Sequence, residues 1–251
     1  MKAIPKYSVY FWFAFHLICT VTLANAAGPP VVIGGTASLA GKYVDPSLMG
    51  QKALQLWVDE VNQRGGLLGR EVKLILYDNK SDPALTRKLY VKLIEQDKVD
   101  LVFSPYSTPL TLVASEVSEA HQMLMLAIGA AAEKPWQRGG RYLFQLYAPA
   151  NRQFIGLLDM MASNGLRTLS LLFDDTSAFN HDIIKGIQEW AAIYKIDIVY
   201  RQSYSDGKKE LPGLLSEVKA KNTTGLILSA YSPDAHEMLR LLSEMDYKPT
   251  V

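Results

Sequence analysis

The chain has 251 residues, of which 49% are hydrophobic and 20% are charged, and its formal net charge is +1. This is the composition of a globular protein, with room for one large domain or two smaller ones, and it excludes a disordered chain. The basic residues are scattered singly and form no stripe, so the sequence favours no nucleic-acid partner.

Residues 1–26 have the pattern of a cleaved export signal. Lys2 and Lys6 precede an apolar run at 7–23, and the run closes on Ala-Asn-Ala at 24–26, the small-residue pattern that signal peptidase requires. The alternative is an uncleaved membrane anchor. We expect cleavage after Ala26, because the apolar run is short for a spanning helix and ends in small residues.

Cys19 is the only cysteine, and it falls inside the predicted signal. A lipoprotein signal would need a small residue before the cysteine, whereas Ile18 stands there. We therefore expect a mature chain without a thiol and without a disulfide. Removing two of the 26 basic residues, Lys2 and Lys6, would leave 24 against 25 acidic residues.

After the signal, short apolar runs alternate with helical patterns. Strands are predicted at 31–33, 72–77, 100–103, 123–127, 142–146, 168–173, 197–204 and 225–230. Helices are predicted around 54–64, 82–94, 110–120, 151–164, 183–194, 211–221 and 232–245. This alternation predicts an α/β fold with parallel sheets and helices on both faces.

The elements form two successive sets, which we interpret as two doubly wound lobes joined by a hinge. The stretch 145–151 lies between the sets, so we expect a first lobe at 27–147 and a second at 148–251. Ligands bind beyond the C-terminal ends of the strands in such sheets. The loops of interest are therefore 34–47, 104–111, 128–136, 174–180 and 230–234.

Helical spacing predicts which faces are buried. The residues expected to pack in the core are Leu54, Trp57, Val58 and Val61 in the first helix, Leu85, Leu89, Leu93 and Ile94 in the second, Phe154, Leu157, Leu158, Met160 and Met161 in the fourth, and Ile183, Ile187, Trp190, Ala191 and Tyr194 in the fifth.

The glycine-rich stretch 34–41 follows the first predicted strand. Its glycine spacing is that of neither a dinucleotide-binding loop nor a phosphate-binding loop. Two interpretations stay open: a flexible surface turn, or a set of backbone N–H groups and hydroxyls, Ser38 among them, that holds a carboxylate or small anion.

Two hydroxyl residues, Ser107 and Thr108, precede the third helix. They could cap the helix or donate to a ligand carboxylate at its N-terminus, and both roles can hold at once, although the sequence alone favours the cap. The aromatic residues Tyr106 and Tyr231 follow strands and are candidates for ligand contact.

No pattern in the sequence predicts catalysis. The histidines have no metal-ligand spacing, and no Gly-x-Ser-x-Gly elbow occurs. The Asp174-Asp175 pair ends a strand, where we expect it to solvate a loop or cap a helix. We predict neither an enzyme nor a bound metal or cofactor.

Six segments together resemble the branched-chain amino-acid-binding family of type I periplasmic binding proteins, over residues 31–251. The segments are GTASLAG at 35–41, NQRGGLLGR at 62–70, YDNKSDP at 77–83, SPYST at 104–108, IGAA at 128–131 and AYSPDA at 230–235.

The resemblance implies a solute held between two lobes by strand-end loops. Thr108 matches a ligand-binding hydroxyl position, and Ala130 matches a backbone contact. Phe179 and Tyr231 match aromatics of the second lobe, and Tyr43 falls near an aromatic that covers the ligand.

The sequence departs from the family pattern in two ways. Ala131 stands where amino-acid binders often have a threonine, which leaves room for an amide or urea as ligand. The family pattern also continues past residue 251, so the resemblance implies a C-terminally truncated chain. The missing part would supply an acidic partner for the ligand's ammonium, so we expect only weak binding by these 251 residues.

The resemblance implies the solute-binding component of an ABC transporter, exported to the periplasm, with a small-molecule ligand and an inner-membrane permease as partners. A ligand-sensing regulatory protein of the same fold is the alternative. Neighbouring permease and ATPase genes would favour transport, whereas a kinase or antiterminator gene would favour sensing.

Overall fold

The structure is a computed structural model that describes residues 28–205 and 207–251. The predicted signal peptide, with Cys19, lies outside the described residues.

Five parallel strands form the first sheet, in the order β2-β1-β3-β4-β5. Their bounds are β1 Val31–Ala37, β2 Val72–Asp78, β3 Leu101–Phe103, β4 Met125–Ala127 and β5 Leu143–Gln145. The helices in this part of the chain are α1 Val44–Gln63, α2 Pro83–Glu95, α3 Thr108–Ala120 and the short α4 Lys134–Gln137.

Three parallel strands form the second sheet, in the order β7-β6-β8. Their bounds are β6 Thr168–Asp174, β7 Asp197–Tyr204 and β8 Gly225–Ser229. The 3₁₀ helix Ala150–Arg152 follows the first sheet, and the later helices are α5 Ile155–Ser163, α6 Ala178–Tyr194, α7 Gly207–Lys221 and α8 Ser232–Glu244. The α/β fold with parallel sheets, predicted from the alternation of elements, is confirmed.

Each sheet is buried between two layers of helix. In the first sheet, α1 packs on one face around Ile33 and Phe103, and α2 and α3 pack on the other around Val102 and Met125. The second sheet has separate cores with α5 and α6 and with α7 and α8. Strands buried on both faces explain the continuous apolar runs of the sequence.

Local capping agrees with the sequence at α2. Asp82 is its N-cap and accepts a hydrogen bond from the Leu85 N–H, with Pro83 in the first turn. The proline has no N–H to satisfy there, and its ring pre-sets a helical φ.

The first strand is longer than predicted. The sequence interpretation ended it at Ile33 because glycines follow, yet Gly34 and Gly35 lie within β1. A Cβ on Gly34 would lie 3.0 Å from side-chain atoms of Leu93 and Val99. The glycines therefore serve close packing rather than a turn.

The predicted buried face of α2 is confirmed in its second half, where Leu93 and Ile94 are buried. In its first half Thr86 and Tyr90 are buried, and the predicted Leu85 and Leu89 are only half-buried. Tyr90 is fully buried because its hydroxyl donates to the Phe103 carbonyl at 2.6 Å, so burial leaves no unpaired polar group.

The prediction for the adjacent methionines of α5 is half wrong. Met161 is buried in the core of the second sheet, whereas Met160 is 41% exposed. Consecutive helical residues point about 100° apart, so both cannot face one core.

An ion pair joins α2 to the end of α3. The Nε2 of His121 lies 2.9 Å from a carboxylate oxygen of Glu95, and Nδ1 lies 2.8 Å from the Val117 carbonyl. Both ring nitrogens face acceptors, so the hydrogen bond to Glu95 and then the one to Val117 raise the pKa of His121.

None of the helices in the described part of the chain is both long and apolar enough to cross a membrane.

Candidate ligand-binding site

The C-terminal ends of the two sheets meet at a cavity of about 150 Å³, which we call the head cavity. The loops after β3 and β4 of the first sheet face the segments after β6 and β8 of the second. Strand order reverses on either side of β1 in the first sheet and β6 in the second, and such switch points leave a crevice for ligands. The head cavity is lined by Tyr106, Ser107, Thr108, Gly129, Ala131, Tyr147, Gln153, Phe179 and Tyr231.

The N-terminus of α3 forms one side of the head cavity. Ser107 is the N-cap, with its Oγ 3.5 Å from the Leu110 N–H, so the predicted cap is confirmed for this residue. Its backbone has φ of 87°, an uncommon conformation for a side-chain-bearing residue, which is held by a 3.0 Å hydrogen bond from its N–H to the Gly129 carbonyl. The first turn of α3 therefore faces the cavity, where a helix terminus favours negative charge.

Thr108 is buried beside this cap. Its Oγ1 lies 3.5 Å from the Ala132 N–H, a long and weak hydrogen bond, so the hydroxyl retains capacity for a ligand. The loops after β3 and β4 come together only because residue 129 is glycine. A Cβ there would lie 2.8 Å from the Tyr106 Cα.

Aromatic rings form the opposite side. The ring of Tyr231 lies 5.3 Å from that of Tyr43 in an edge arrangement and 6.4 Å from that of Phe179. Tyr43 also meets Tyr106 edge-on at 6.1 Å. The hydroxyl of Tyr231 lies 3.3 Å from the Ser177 Oγ, so this ring is fixed at both ends.

None of the nine residues that line the head cavity is an Asp, Glu, Lys, Arg or His, so the lining supplies no carboxylate, ammonium, guanidinium or imidazole group. Burial is the main cause that raises the pKa values of Tyr106 and Tyr231, which keeps both phenols protonated. Neutral hydroxyls, a helix N-terminus and ring faces suit a neutral or zwitterionic solute, since ring faces also attract cations.

A bridge between the two halves stands beside the aromatic side. The Nζ of Lys42, in the loop after β1, lies 3.4 Å from Oδ2 of Asp174 at the end of β6 and 4.8 Å from the centre of the Tyr231 ring. Asp174 also accepts hydrogen bonds from the N–H and Oγ1 of Thr176. The expectation that the Asp174-Asp175 pair solvates a loop or caps a helix holds in part: Asp175 is exposed in the turn, whereas the carboxylate of Asp174 is buried in these contacts.

Six of the nine predicted site residues line the head cavity: Tyr106, Ser107, Thr108, Ala131, Phe179 and Tyr231. Tyr43 is buried behind the lining and contacts it through Tyr106 and Tyr231. Ala130 and Ser38 are buried outside the lining.

Ser38 belongs to a polar network that holds the ends of β1 and β2 together. Its hydroxyl donates to Oδ1 of the fully buried Asn79 at 2.7 Å, and Asn79 donates to Oγ1 of Thr36 at 2.8 Å. The Oγ of Ser81 accepts a hydrogen bond from the Tyr43 N–H at 3.1 Å. The network positions the loop that carries Lys42 and Tyr43.

Sequence reasoning missed three lining residues, Gly129, Tyr147 and Gln153, as ligand contacts. Gly129 lay inside a segment that carried the family resemblance. Tyr147 is an aromatic in the stretch between the two sets of elements, and that position was the available signal. Gln153 had no signal.

Within residues 28–205 and 207–251, no group of three or more His, Cys, Asp or Glu side chains lies close enough to hold a metal ion.

Residues 30–251 match the model of the family described as periplasmic binding protein, so the chain belongs to this family. The resemblance inferred from the six segments is thereby confirmed.

Comparison with individual proteins gives the same family at lower identity. The chain is 25% identical to the Leu/Ile/Val-binding protein homolog 8 of Brucella abortus over 240 residues, which cover 91% of this chain and 58% of that protein. The chain thus spans about three fifths of the length of this curated relative.

Solved structures share the fold. The branched-chain amino acid transporter substrate binding protein LivJ of Streptococcus pneumoniae, in complex with isoleucine, matches with a TM-score of 0.79 at 23% identity, over 87% of this chain and 62% of LivJ. A solute binding protein of an ABC transporter from Rhodopseudomonas palustris, in complex with 3,4-dihydroxybenzoic acid, matches with a TM-score of 0.75 at 17% identity, over 87% of this chain and 59% of that protein. The relatives are binding proteins rather than enzymes, and their ligands differ in chemistry.

Proposed function

We propose that this chain is the substrate-binding component of an ABC transporter for amino acids or related small solutes such as amides and urea. The observation that carries the proposal is the uncharged head cavity, which pairs the N-terminus of α3 with an aromatic side from the second sheet. Similarity to substrate-binding proteins with isoleucine or an aromatic acid as ligand supports it.

The carboxylate or carbonyl of the solute lies against Ser107 and Thr108, where hydroxyls and the helix terminus supply donors. An ammonium or amide group lies toward Tyr231 and Phe179, whose rings attract positive charge. Contacts to residues of both sheets favour the arrangement in which the sheets are closed on the ligand. Ser38 and Ala130 act, in this proposal, from behind the lining.

The lobes at 27–147 and 148–251 move about the stretch between them, and the closed form docks on the permease in the inner membrane. Export through the signal at residues 1–26 places the protein in the periplasm. The family description, periplasmic binding protein, supports this location.

The test is thermal melting of the purified chain with a panel of leucine, isoleucine, alanine, acetamide, urea and benzoate at millimolar concentrations, which also detects weak binding. A ligand at a hundredfold excess over its Kd stabilises a protein by about 2.7 kcal/mol, which corresponds to a rise of roughly 5–10 °C for a chain of this size. Isothermal calorimetry then gives the affinity. A chain that melts cooperatively and is shifted by no member of the panel would contradict the proposal.

A further inference from the structure

The two halves of the molecule touch on two sides of the head cavity. One is the side where the chain passes from β5 to the second set of elements, and we call it the crossing side. There the Glu133 N–H donates to Oδ2 of Asp182 in α6 at 2.7 Å. Gly186 of α6 lies so close to Asn151 that an added Cβ would stand 2.1 Å from its carbonyl oxygen. Backbone packed this tightly leaves no slack, so the crossing side suits a pivot.

The other side is the mouth, where the loop after β1 meets the ends of β6 and β8. Lys42 and Tyr43 face Asp174 and Tyr231 across it, and the two tyrosine rings meet edge-on at 5.3 Å. In the first sheet β1 stands three strands from β5, so at about 4.8 Å per strand the mouth lies roughly 14 Å from the crossing side. A rotation about the crossing side therefore separates the contacts of the mouth first.

Lys42 makes the charged contact of the mouth. Its Nζ lies 3.4 Å from Oδ2 of Asp174, 3.5 Å from Oγ1 of Thr176 and 4.8 Å from the centre of the Tyr231 ring. The Lys42 side chain is 42% exposed and that of Asp174 only 6%, so solvent weakens this ion pair without abolishing it. The ion pair and the ring contact together are expected to favour the closed mouth by roughly threefold. Each partner is a protein group, so the contact needs no solute to form.

We propose that Lys42 and Asp174 form a latch, which holds the mouth closed with or without solute and so raises the affinity for every ligand by the same factor. The inference rests on the proposed function, because it takes a solute to bind between the two halves. A ligand whose tightest complex is the closed form binds in proportion to the fraction of molecules that are closed. Both residues lie outside the lining of the head cavity, so they act as positioning residues through this fraction and not through contact with the solute.

The first measurement is calorimetry with acetamide, isoleucine and benzoate, which are neutral, zwitterionic and anionic. Lys42→Met should weaken each ligand that binds by about threefold, because the latch does not touch the solute. Asp174→Asn should have the same effect, since asparagine keeps an acceptor for Thr176 but no charge for Lys42. The double variant should be no weaker than either single variant, because each single change already removes the contact. Lys88→Met removes one exposed charge from α2, and this matched control should bind as wild type does.

The second measurement needs no ligand. Spin labels are placed on Leu56→Cys in α1 and Leu239→Cys in α8, both 60% exposed, in a chain whose only native cysteine, Cys19, is replaced by serine. These helices follow the two loops of the mouth, so pulsed electron paramagnetic resonance reports closed and open molecules as short and long distances. At low salt the ratio of closed to open molecules should fall about threefold in Lys42→Met and in Asp174→Asn. High sodium chloride should lower the ratio in the wild type only.

The outcomes separate the latch from the proposed function. Equal populations of closed molecules in the wild type and both variants would overturn the latch. So would a loss on Lys42→Met that is several-fold larger for benzoate than for acetamide, because the lysine would then act on the charge of the ligand. If no ligand of the panel binds, the proposed function falls and the distance measurement alone decides: a lower closed fraction in both variants supports the latch, and an unchanged one overturns it.

Discussion

Replacing Thr108 by valine removes one hydroxyl from the head cavity and keeps the shape of the side chain. The side chain is 2% exposed, and its one described hydrogen bond within the protein is the 3.5 Å contact from the Ala132 N–H, so the folded state should lose only about 0.5 kcal/mol. A hydrogen bond from the hydroxyl to a charged carboxylate contributes about 1.5–3 kcal/mol, which corresponds to roughly ten- to a hundredfold in Kd. Calorimetry with the ligand that gives the largest thermal shift measures this ratio.

The matched control for Thr108→Val is Thr86→Val in α2. Thr86 is also buried in a helix, and its Oγ1 donates to the Asp82 carbonyl at 2.7 Å, outside the lining of the head cavity. The control should lower stability by about 1 kcal/mol and leave affinity unchanged. The reasoning is refuted if Thr108→Val binds as tightly as wild type while its melting remains cooperative.

Three further perturbations test one contact beside the site and two contacts that stabilise the fold. Lys42→Met removes the cation that contacts buried Asp174. We expect the affinity for the ligand to fall about threefold and to depend less on salt, and ligand titration in low and high sodium chloride measures both effects. Gly186→Ala forces a Cβ into the carbonyl group of Asn151, and we expect a loss of about 1–3 kcal/mol, measured by urea unfolding. The pKa of His121 is raised in the folded protein above its unfolded value of about 6.5, so protonation of His121 stabilises the fold. This contribution is complete below the unfolded pKa and should be lost as pH rises through the folded pKa, which lowers the melting temperature.

Controls separate these effects from general damage. Lys42→Arg should retain the salt dependence, whereas equal affinity of the methionine and wild-type chains would show that the bridge plays no part in binding. Gly213→Ala should be neutral or stabilising because nothing lies near its Cβ. Glu95→Gln should return the NMR-titrated pKa of His121 toward its usual value, and an unchanged value would exclude the ion pair as the cause.

Periodicity and turn chemistry were sufficient to predict the alternating elements and the parallel sheets. They failed where tertiary packing overrides a local signal. The sequence assigns Gly34 and Gly35 to a loop because glycine is rare inside strands. In the structure, side chains on both faces of β1 lie so close to these glycines that an added Cβ would crowd them. Tyr90 was overlooked as a core residue because its hydroxyl is buried only with the help of a backbone carbonyl from β3.

The candidate site was predictable in part. Residues directly after strands, such as Tyr106 and Tyr231, could be expected at one edge of parallel sheets, and the structure places both in the head cavity. The contact of Lys42 with Asp174 joins residues 132 positions apart and carries no local pattern, so the sequence could not reveal it.

The most direct test of the account is a crystal structure of the chain with the panel ligand that raises its melting temperature most. The account predicts electron density for the ligand inside the head cavity, with its carboxylate or carbonyl within hydrogen-bonding distance of the Thr108 hydroxyl and its remaining polar group against the Tyr231 ring. A ligand bound elsewhere on the protein, with the head cavity holding only solvent, would contradict it.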